Sequence, residues 1–589
     1  MNTKKLSFLA LFCSGAALLF SLTLISFHVD ISLLALPLSL VFTVSLAFFS
    51  FKKLFIEENL HFIAVFREYL QYLPYVLLIA FVFRRAGDFG TPFALDLISV
   101  ILWLLSSILS LVILHFLNPK NISKVSKSWS DFIEKERAER KDPKNRSFLK
   151  STMREILSWI DALIQAVFMV LLLNIFIVQL YEIPSESMVP EFLIKDRVVV
   201  FKTLSGPKFP LSDVGLPYLK KYNRGDIVVF RNPHYSNDRK SEVRTFLSQL
   251  VYMCTLTKVN LNIDENGNQK ADPLVKRVCG LGGEQLMMQD GILYARTKNS
   301  NEFKVVAEDS TWATWNLNSV NSLLKKGIHD FPLSDSDYTE MLELEEERRN
   351  LNIEEFSVEC KQISDGFTDL HKKFSMTNSN QKNFSLSAEQ MTVYFLIANG
   401  REIVLNLLSN KNGSEWFNSF MTEWSVKIPD FNGDLYSEAN FRLNLMIKKL
   451  IGNLFLRYAE FYVNGKNSEA FSSDSKIAEY FLEGQRLYFY TAILDQRNMP
   501  IFPANAEDGT PRYIPENSYF MMGDNRFNSL DMRHSYERWN VRLASSDNYS
   551  VTYETNMKPQ TVSRKRMLGS TSYRFWPVSR AGVPGHTGK

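Results

Sequence analysis

Cysteine is scarce: Cys13, Cys254, Cys279 and Cys360 in 589 residues are too few and too scattered for a disulfide framework. No pair has Cys-x-x-Cys metal spacing, and at most one bridge among the last three is compatible with the count. Only eight histidines occur, and they are dispersed, which excludes a histidine-rich metal centre and leaves few candidates for a histidine base. Neither sign of charge dominates, since 67 Lys and Arg stand against 63 Asp and Glu. Without a broad basic face, nucleic acid is not an expected partner. There is no internal repeat and no low-complexity tract, and nothing implies a metal or any other cofactor.

What is present is concentrated at one end. A membrane span needs roughly 20 mostly apolar residues, because a helix rises about 1.5 Å per residue across a core about 30 Å thick. Residues 6–27, 31–51, 97–117 and 160–180 meet this, while 69–83 is short and Arg67 and Glu68 interrupt its extension. Basic residues in short loops stay in the cytoplasm. Lys4 and Lys5, Lys52 and Lys53, and the 118–154 loop, with its eleven Lys or Arg against five acids, fall on one side if all five segments cross. The chain after residue 180 then emerges on the outer side. A cleavable signal is the competing explanation of the first run, but Ala10-Leu-Phe-Cys13 has no small residue before the cysteine.

Beyond the last span the pattern changes to short β-type runs. Residues 197–202 and 226–230 are valine-rich, 519–522 has the same look, and Asp290-Gly291 reads as a hairpin turn entering a strand. Between about 300 and 500 the period is helical. Asp337 with Glu340, and Ser387 with Gln390, have capping-box spacing, and a third helical run covers 441–461. Lys448, Lys449 and Arg457 read as the solvated face of that buried helix.

Metal-free hydrolysis of a peptide bond requires a nucleophile, a base to take its proton and donors for the oxyanion. Four segments together supply them: Pro184-Ser-Glu-Ser-Met-Val-Pro190, Arg224-Gly-Asp-Ile-Val-Val-Phe230, Lys276-Arg-Val-Cys-Gly-Leu-Gly-Gly-Glu284 and Gly523-Asp-Asn-Arg-Phe-Asn-Ser-Leu-Asp-Met-Arg533. In this order, with the first abutting a membrane span, they resemble the bacterial type I signal peptidases, membrane-anchored serine proteases with a Ser/Lys dyad. The resemblance covers roughly 155–300 and 510–580.

Resemblance and pattern together give N-terminal transmembrane helices followed by a mainly β extracytoplasmic catalytic domain of signal-peptidase-like fold with a large α-rich insertion, the first three spans and the insertion resting on the hydrophobic pattern alone. The expected organisation is four spans in 1–117, a basic cytoplasmic loop at 118–154, a fifth span at 155–181, catalytic segments at 182–300 and 506–589, and the insertion at 301–505. By position, Ser187 matches the nucleophile, Lys276 the general base and Ser185 an oxyanion donor beside the Ser187 N–H. Ser529 matches the serine that orients the lysine, while Asp531 and Arg533, with Asp524, Arg526 and Arg277, match supporting residues. The expected partners are preproteins with signal peptides, the lipid bilayer and the export machinery, at the bacterial cytoplasmic membrane. About six residues separate residue 180 from Ser187, a reach of at most roughly 20 Å. The loop at 204–219, with Phe209 and Leu211, is suited either to lipid or to the domain's own core.

An uncharged lysine is needed at position 276, and burial among apolar neighbours supplies the shift from about 10.4. Several positions depart from the family's usual residues: Glu186 for glycine, Glu191-Phe192 for Thr-Leu, Gly282 for proline, Phe527 for aspartate and Met532 for serine. These bear on loop shape and substrate fit. One rival mechanism takes His534 beside Asp531 as the base. A rival of another class is an inactive membrane scaffold that binds partners through the insertion.

Overall fold

The computed structural model describes all residues except 1, 28, 88–90, 142–147, 236–237, 256–258, 260, 264–266, 268–269, 331–332, 377–381, 467 and 586–589. The chain divides into two compact units. One comprises Met1–Leu180, Val200–Lys220 and Tyr235–Asp272, and the other Tyr181–Val199, Lys221–His234 and Pro273–Lys589.

In the first unit, five helices among the described residues are long and apolar enough to cross a membrane: Thr3–Leu22, Ile31–Ile56, Leu60–Gly87, Phe93–Leu117 and Glu155–Phe176. The third is longer than its apolar stretch suggests. Arg67 and Glu68 lie within helix Ile63–Gly87, close to its start, where long charged side chains reach an interface without ending the helix. The last helix stops at Phe176, short of the boundary expected at residue 181, and Val178–Glu182 is already a strand. A short apolar run such as 177–180 fits either element, and periodicity alone does not choose.

The 204–219 loop belongs to this unit, and its buried Phe209 faces neither lipid nor a β core. The ring sits among Phe81, Trp103 and Phe176, at centroid distances of 6.3, 5.4 and 4.8 Å. Its turn is held by polar groups of the helices: Ser212 Oγ donates to Asp96 Oδ2 at 2.8 Å, and Arg85 Nε to the Leu211 carbonyl at 2.8 Å. Asp96 is also paired with the fully buried Arg84, so its charge is compensated.

The second unit contains the β core. The larger sheet runs in the order Val178–Glu182, Arg197–Phe201, Met567–Trp576, Ile227–Phe230, Leu274–Gly280, Ser518–Met522, Val562–Ser563. A four-stranded sheet is built around the hairpin Glu284–Gln289 and Ile292–Thr297. Asp290 and Gly291 form its two-residue turn with φ of 52° and 77°, the left-handed pair that such a hairpin demands.

Helices Asp335–Arg349, Ile353–Ser375, Leu435–Val463 and Ser475–Arg497 dominate the stretch between the strands. Their capping differs in one place from the sequence pattern. Ser334, with Asp337 at the third helical position, forms the box of the first helix, three residues before the expected Asp337–Glu340 pair, because Ser334 has the extended backbone a cap needs. The Ser387–Gln390 box is present. In Ile353–Ser375 the buried Phe356, Cys360, Ile363 and Phe367 recur at helical spacing.

Lys448 corrects another expectation, for it is fully buried, not solvated. Its Nζ lies 2.5 Å from Asp547 and 4.9 Å from the Phe420 ring centroid, which compensates the charge. Lys449 and Arg457 form ion pairs with Glu359 and with Glu460 and Asp474. These helices share one hydrophobic cluster with Phe527, Leu543, Val551 and Tyr553. Hence the helical stretch and the chain after it are packed as one body. Cys13, Cys279 and Cys360 are buried free thiols; the Cys254 side chain lies outside the described ones.

Candidate active site

Consecutive strand residues project to opposite faces, and strand Leu274–Gly280 uses this to bury two cations in two environments. Lys276 lies opposite Val228, and Arg277 opposite Ile227 on one side and Met522 on the other. On one face, Lys276 Nζ donates to Ser187 Oγ at 2.6 Å. On the other, Arg277 makes a bidentate pair with Asp524 at 2.7 and 2.6 Å, donates to the Gly225 carbonyl, and lies 5.0 Å from the Trp312 ring centroid.

Lys276 is 3% exposed. Burial pushes its pKa down to about 8, against the attraction of Asp531 and Asp524 and with help from Arg533. About a tenth of the lysine is therefore neutral at pH 7. Ser187 is half-buried in the turn after strand Val178–Glu182, and the exposed Ser185 Oγ lies 3.4 Å from its hydroxyl.

The 523–533 segment closes against this turn. Asn525 N donates to the Ser187 carbonyl at 3.2 Å, and Asn525 Nδ2 to the Glu186 carbonyl at 3.2 Å. Only glycine fits at 523: a Cβ there would meet the Ser187 carbonyl oxygen at 2.4 Å and Ser529 Oγ at 2.2 Å. Ser529 is thus beside the nucleophile turn. Its buried Oγ makes no hydrogen bond among the described residues, so the bond to Lys276 that resemblance implies is not formed here.

Asp531 accepts from the Gly523 N–H at 2.9 Å and from Arg533 Nε at 2.9 Å. Burial alone would raise its pKa, but the adjacent Arg533 guanidinium outweighs burial and holds the carboxyl well below the usual range. Arg533 also donates to the Gln496 and Arg526 carbonyls, and Arg526 pairs with Asp309 at 2.6 Å. His534 Nδ1 lies 3.1 Å from Asn556 Oδ1, and burial, with the neighbouring Arg533, pushes the imidazole down to about 3. The titratable side chain in contact with Ser187 is Lys276, not this histidine.

The departures have local partners. Glu186 Oε1 and Oε2 accept from the His329 and Asp330 N–H groups at 2.6 and 2.9 Å. Glu191 faces Arg277 and Arg574, each at 3.8 Å, and Phe192 is buried. At 282 a Cβ would come within 3.0 Å of the Pro515 carbonyl oxygen. Phe527 meets Trp315 and Tyr338 edge-on at 5.3 and 6.5 Å, and Met532 is fully buried in the β core. Sequence reasoning missed Asn525, Asp309, Trp312 and the 329–330 backbone. Asn525 sits within the quoted Gly523-to-Arg533 segment; the others are far away in sequence, with no local signal.

The family described as "Signal peptidase, peptidase S26" matches residues 156–347 and 446–576, more than half of the chain and every site residue named above. Signal peptidase I of Buchnera aphidicola subsp. Baizongia pistaciae (strain Bp) is 29% identical over 141 residues, 24% of this chain and 38% of that protein. Signal peptidase I of Buchnera aphidicola subsp. Schizaphis graminum (strain Sg) is 35% identical over 79 residues, 13% of this chain and 25% of that protein. The matched stretches thus span less than two fifths of these relatives' length. No solved structure matches the chain.

Proposed function

The chain belongs to the signal peptidase family, peptidase S26, and on that premise we propose that it is a membrane-bound serine endopeptidase that removes signal peptides from exported preproteins at the outer face of the cytoplasmic membrane. The observation that carries this reading is the 2.6 Å contact between Lys276 Nζ and Ser187 Oγ, made by a lysine whose burial brings its pKa down to about 8.

With Lys276 neutral, the hydrogen bond runs from the serine to the amine. Ser187 Oγ attacks the scissile carbonyl carbon while its proton passes to Lys276 Nζ. The carbonyl π electrons move onto oxygen, and the Ser187 N–H and Ser185 hydroxyl are the donors aimed at that charge. Collapse of the tetrahedral intermediate breaks the C–N bond; the Lys276 ammonium returns its proton to the departing amine, leaving an ester on Ser187. Water then attacks the ester, again giving its proton to Lys276, and the signal peptide leaves as a carboxylic acid with Ser187 restored. Asp531, Arg533, Asp524, Arg526 and Arg277 hold the strand and loop around the pair.

The basic segments around Lys4, Lys52 and 118–154 support an orientation with the catalytic part outside. Substrate residues before the cut are expected to be small, bound as an added strand. The scaffold alternative gains no specific observation, because a scaffold does not need a buried lysine on a serine hydroxyl. The test is cleavage of preproteins by the detergent-solubilised full chain. Wild type should cleave, and Ser187→Ala and Lys276→Met should be folded and inactive. An active Ser187→Ala protein refutes the mechanism, and a folded, inactive wild type refutes the activity.

A further inference from the structure

Glu186 separates the two serines of the site and is buried, with 4% of the residue exposed. A buried carboxylate beside a reacting centre requires donors, and here both come from backbone: His329 N at 2.6 Å and Asp330 N at 2.9 Å. From there the hydrogen bonds continue back to their starting point. The Asp330 carbonyl accepts from Asn528 Nδ2 at 3.2 Å, and Asn528 N donates to Asn525 Oδ1 at 3.2 Å. Asn525 Nδ2 then donates to the Glu186 carbonyl, and Asn525 N to the Ser187 carbonyl. The nucleophile turn, the 327–330 segment and the 525–528 loop thus form one closed ring. Glycine, usual in the family at position 186, has no side chain with which to close it.

The ring acts on one peptide plane. The Glu186 carbonyl and the Ser187 N–H belong to the same rigid trans unit and point in opposite directions, so fixing one fixes the other. Asn525 Nδ2 and, within the turn, the Val189 N–H at 3.1 Å hold the carbonyl, and the Glu186 side chain holds the Cα that precedes it. The Ser187 N–H, by contrast, makes no hydrogen bond among the described residues, as required of a donor reserved for an oxyanion. We infer that Glu186 is a positioning residue, through which the 327–330 segment fixes the 186–187 peptide plane and aims the Ser187 N–H at the developing oxyanion. This rests on the function proposed above. It also gives the helical stretch a part in the chemistry: the segment leading into helix Asp335–Arg349 sets donor geometry without touching substrate.

The experiment compares wild type, Glu186→Gln and Glu186→Ala as full-length detergent-solubilised proteins. Preprotein cleavage gives kcat and KM. A peptide aldehyde with alanine at the first and third positions before the reactive carbonyl reports the tetrahedral adduct, in which Ser187 Oγ adds to carbon and the oxygen occupies the donor site. The matching peptide amide reports ground-state binding. Glu186→Ala is expected to lower kcat and aldehyde affinity together by roughly tenfold to a hundredfold, with KM and amide affinity changed less than about threefold. Glu186→Gln, which keeps one acceptor oxygen, should fall between, and it carries the comparison alone if the alanine variant does not fold. Unchanged kcat in both variants overturns the inference, as does a kcat loss without matching aldehyde loss or an effect confined to KM. A wild type that neither cleaves preprotein nor binds aldehyde overturns the proposed function instead.

Discussion

Lys276 Nζ and Ser187 Oγ stand 2.6 Å apart although they are 89 residues apart in sequence, and the lysine end of that contact is sealed from solvent. With a pKa of about 8, half of the lysine is neutral near pH 8. In the proposed mechanism the neutral amine is the catalytic form, so kcat/KM should rise about tenfold per pH unit below pH 8 and level off above it. The check is a pH profile of preprotein cleavage. A profile falling as pH rises from 6 to 8 would contradict a lysine base.

The same burial that frees the amine costs stability while the lysine is charged. The folded pKa lies below the unfolded value of about 10.5, so between these values the unfolded chain holds more protons and stability rises with pH across that window. Below pH 8 the folded protein bears the cost of a buried ammonium, up to about 3 kcal/mol relative to an exposed one. Lys276→Met, of similar volume and without charge, is therefore expected to raise the melting temperature at pH 7 while abolishing cleavage, and the gain should shrink as pH approaches 10. Thermal melts of both proteins at pH 7 and 9.5 decide it.

Phe527 shows how the site and the helical stretch depend on each other. It carries an aromatic ring where aspartate is usual in the family, and that ring is buried against Trp315 and Tyr338 in the cluster formed by the helices. Phe527→Asp removes this packing and buries an unpaired carboxylate, which should cost roughly 3 kcal/mol or more. Phe527→Leu should cost less, roughly 1 to 2 kcal/mol. Denaturant melts give the ordering, and an aspartate variant as stable as wild type would remove Phe527 from the structural account.

The elements with strong local signals were legible. The valine runs became central strands, and Asp290-Gly291 became a two-residue hairpin turn, because alternation and left-handed turn residues act within a few positions. The catalytic candidates were legible through short motifs, and Lys276 and Ser187 do meet. What escaped depended on distant chain. Lys448 looked solvated because its partner Asp547 lies about a hundred residues on. Glu186 had no visible partner because His329 and Asp330 contribute only backbone N–H groups, which every non-proline residue carries. The end of the fifth helix was misplaced for a different reason: residues 177–180 are apolar, and apolarity serves a strand as well as a helix.

Orientation gives the last prediction. Five helices among the described residues can cross a membrane, and an odd number places the two ends of that region on opposite sides. Lys4, Lys5, Lys52, Lys53 and the 118–154 loop all come to one face only if Leu60–Gly87 crosses; Arg84 and Arg85 then lie on the other face. Those two arginines count against this orientation, and Asp96, which pairs with both, offsets only one of their two charges. A reporter fused after residue 130 should therefore read cytoplasm, and one fused after residue 300 the outer side. Replacing Lys52 and Lys53 with glutamine removes only part of the bias, so both reporters should keep their readings. Should the reporter at 130 read outside while the one at 300 reads inside, the catalytic part would face the cytoplasm and could not meet an emerging cleavage site.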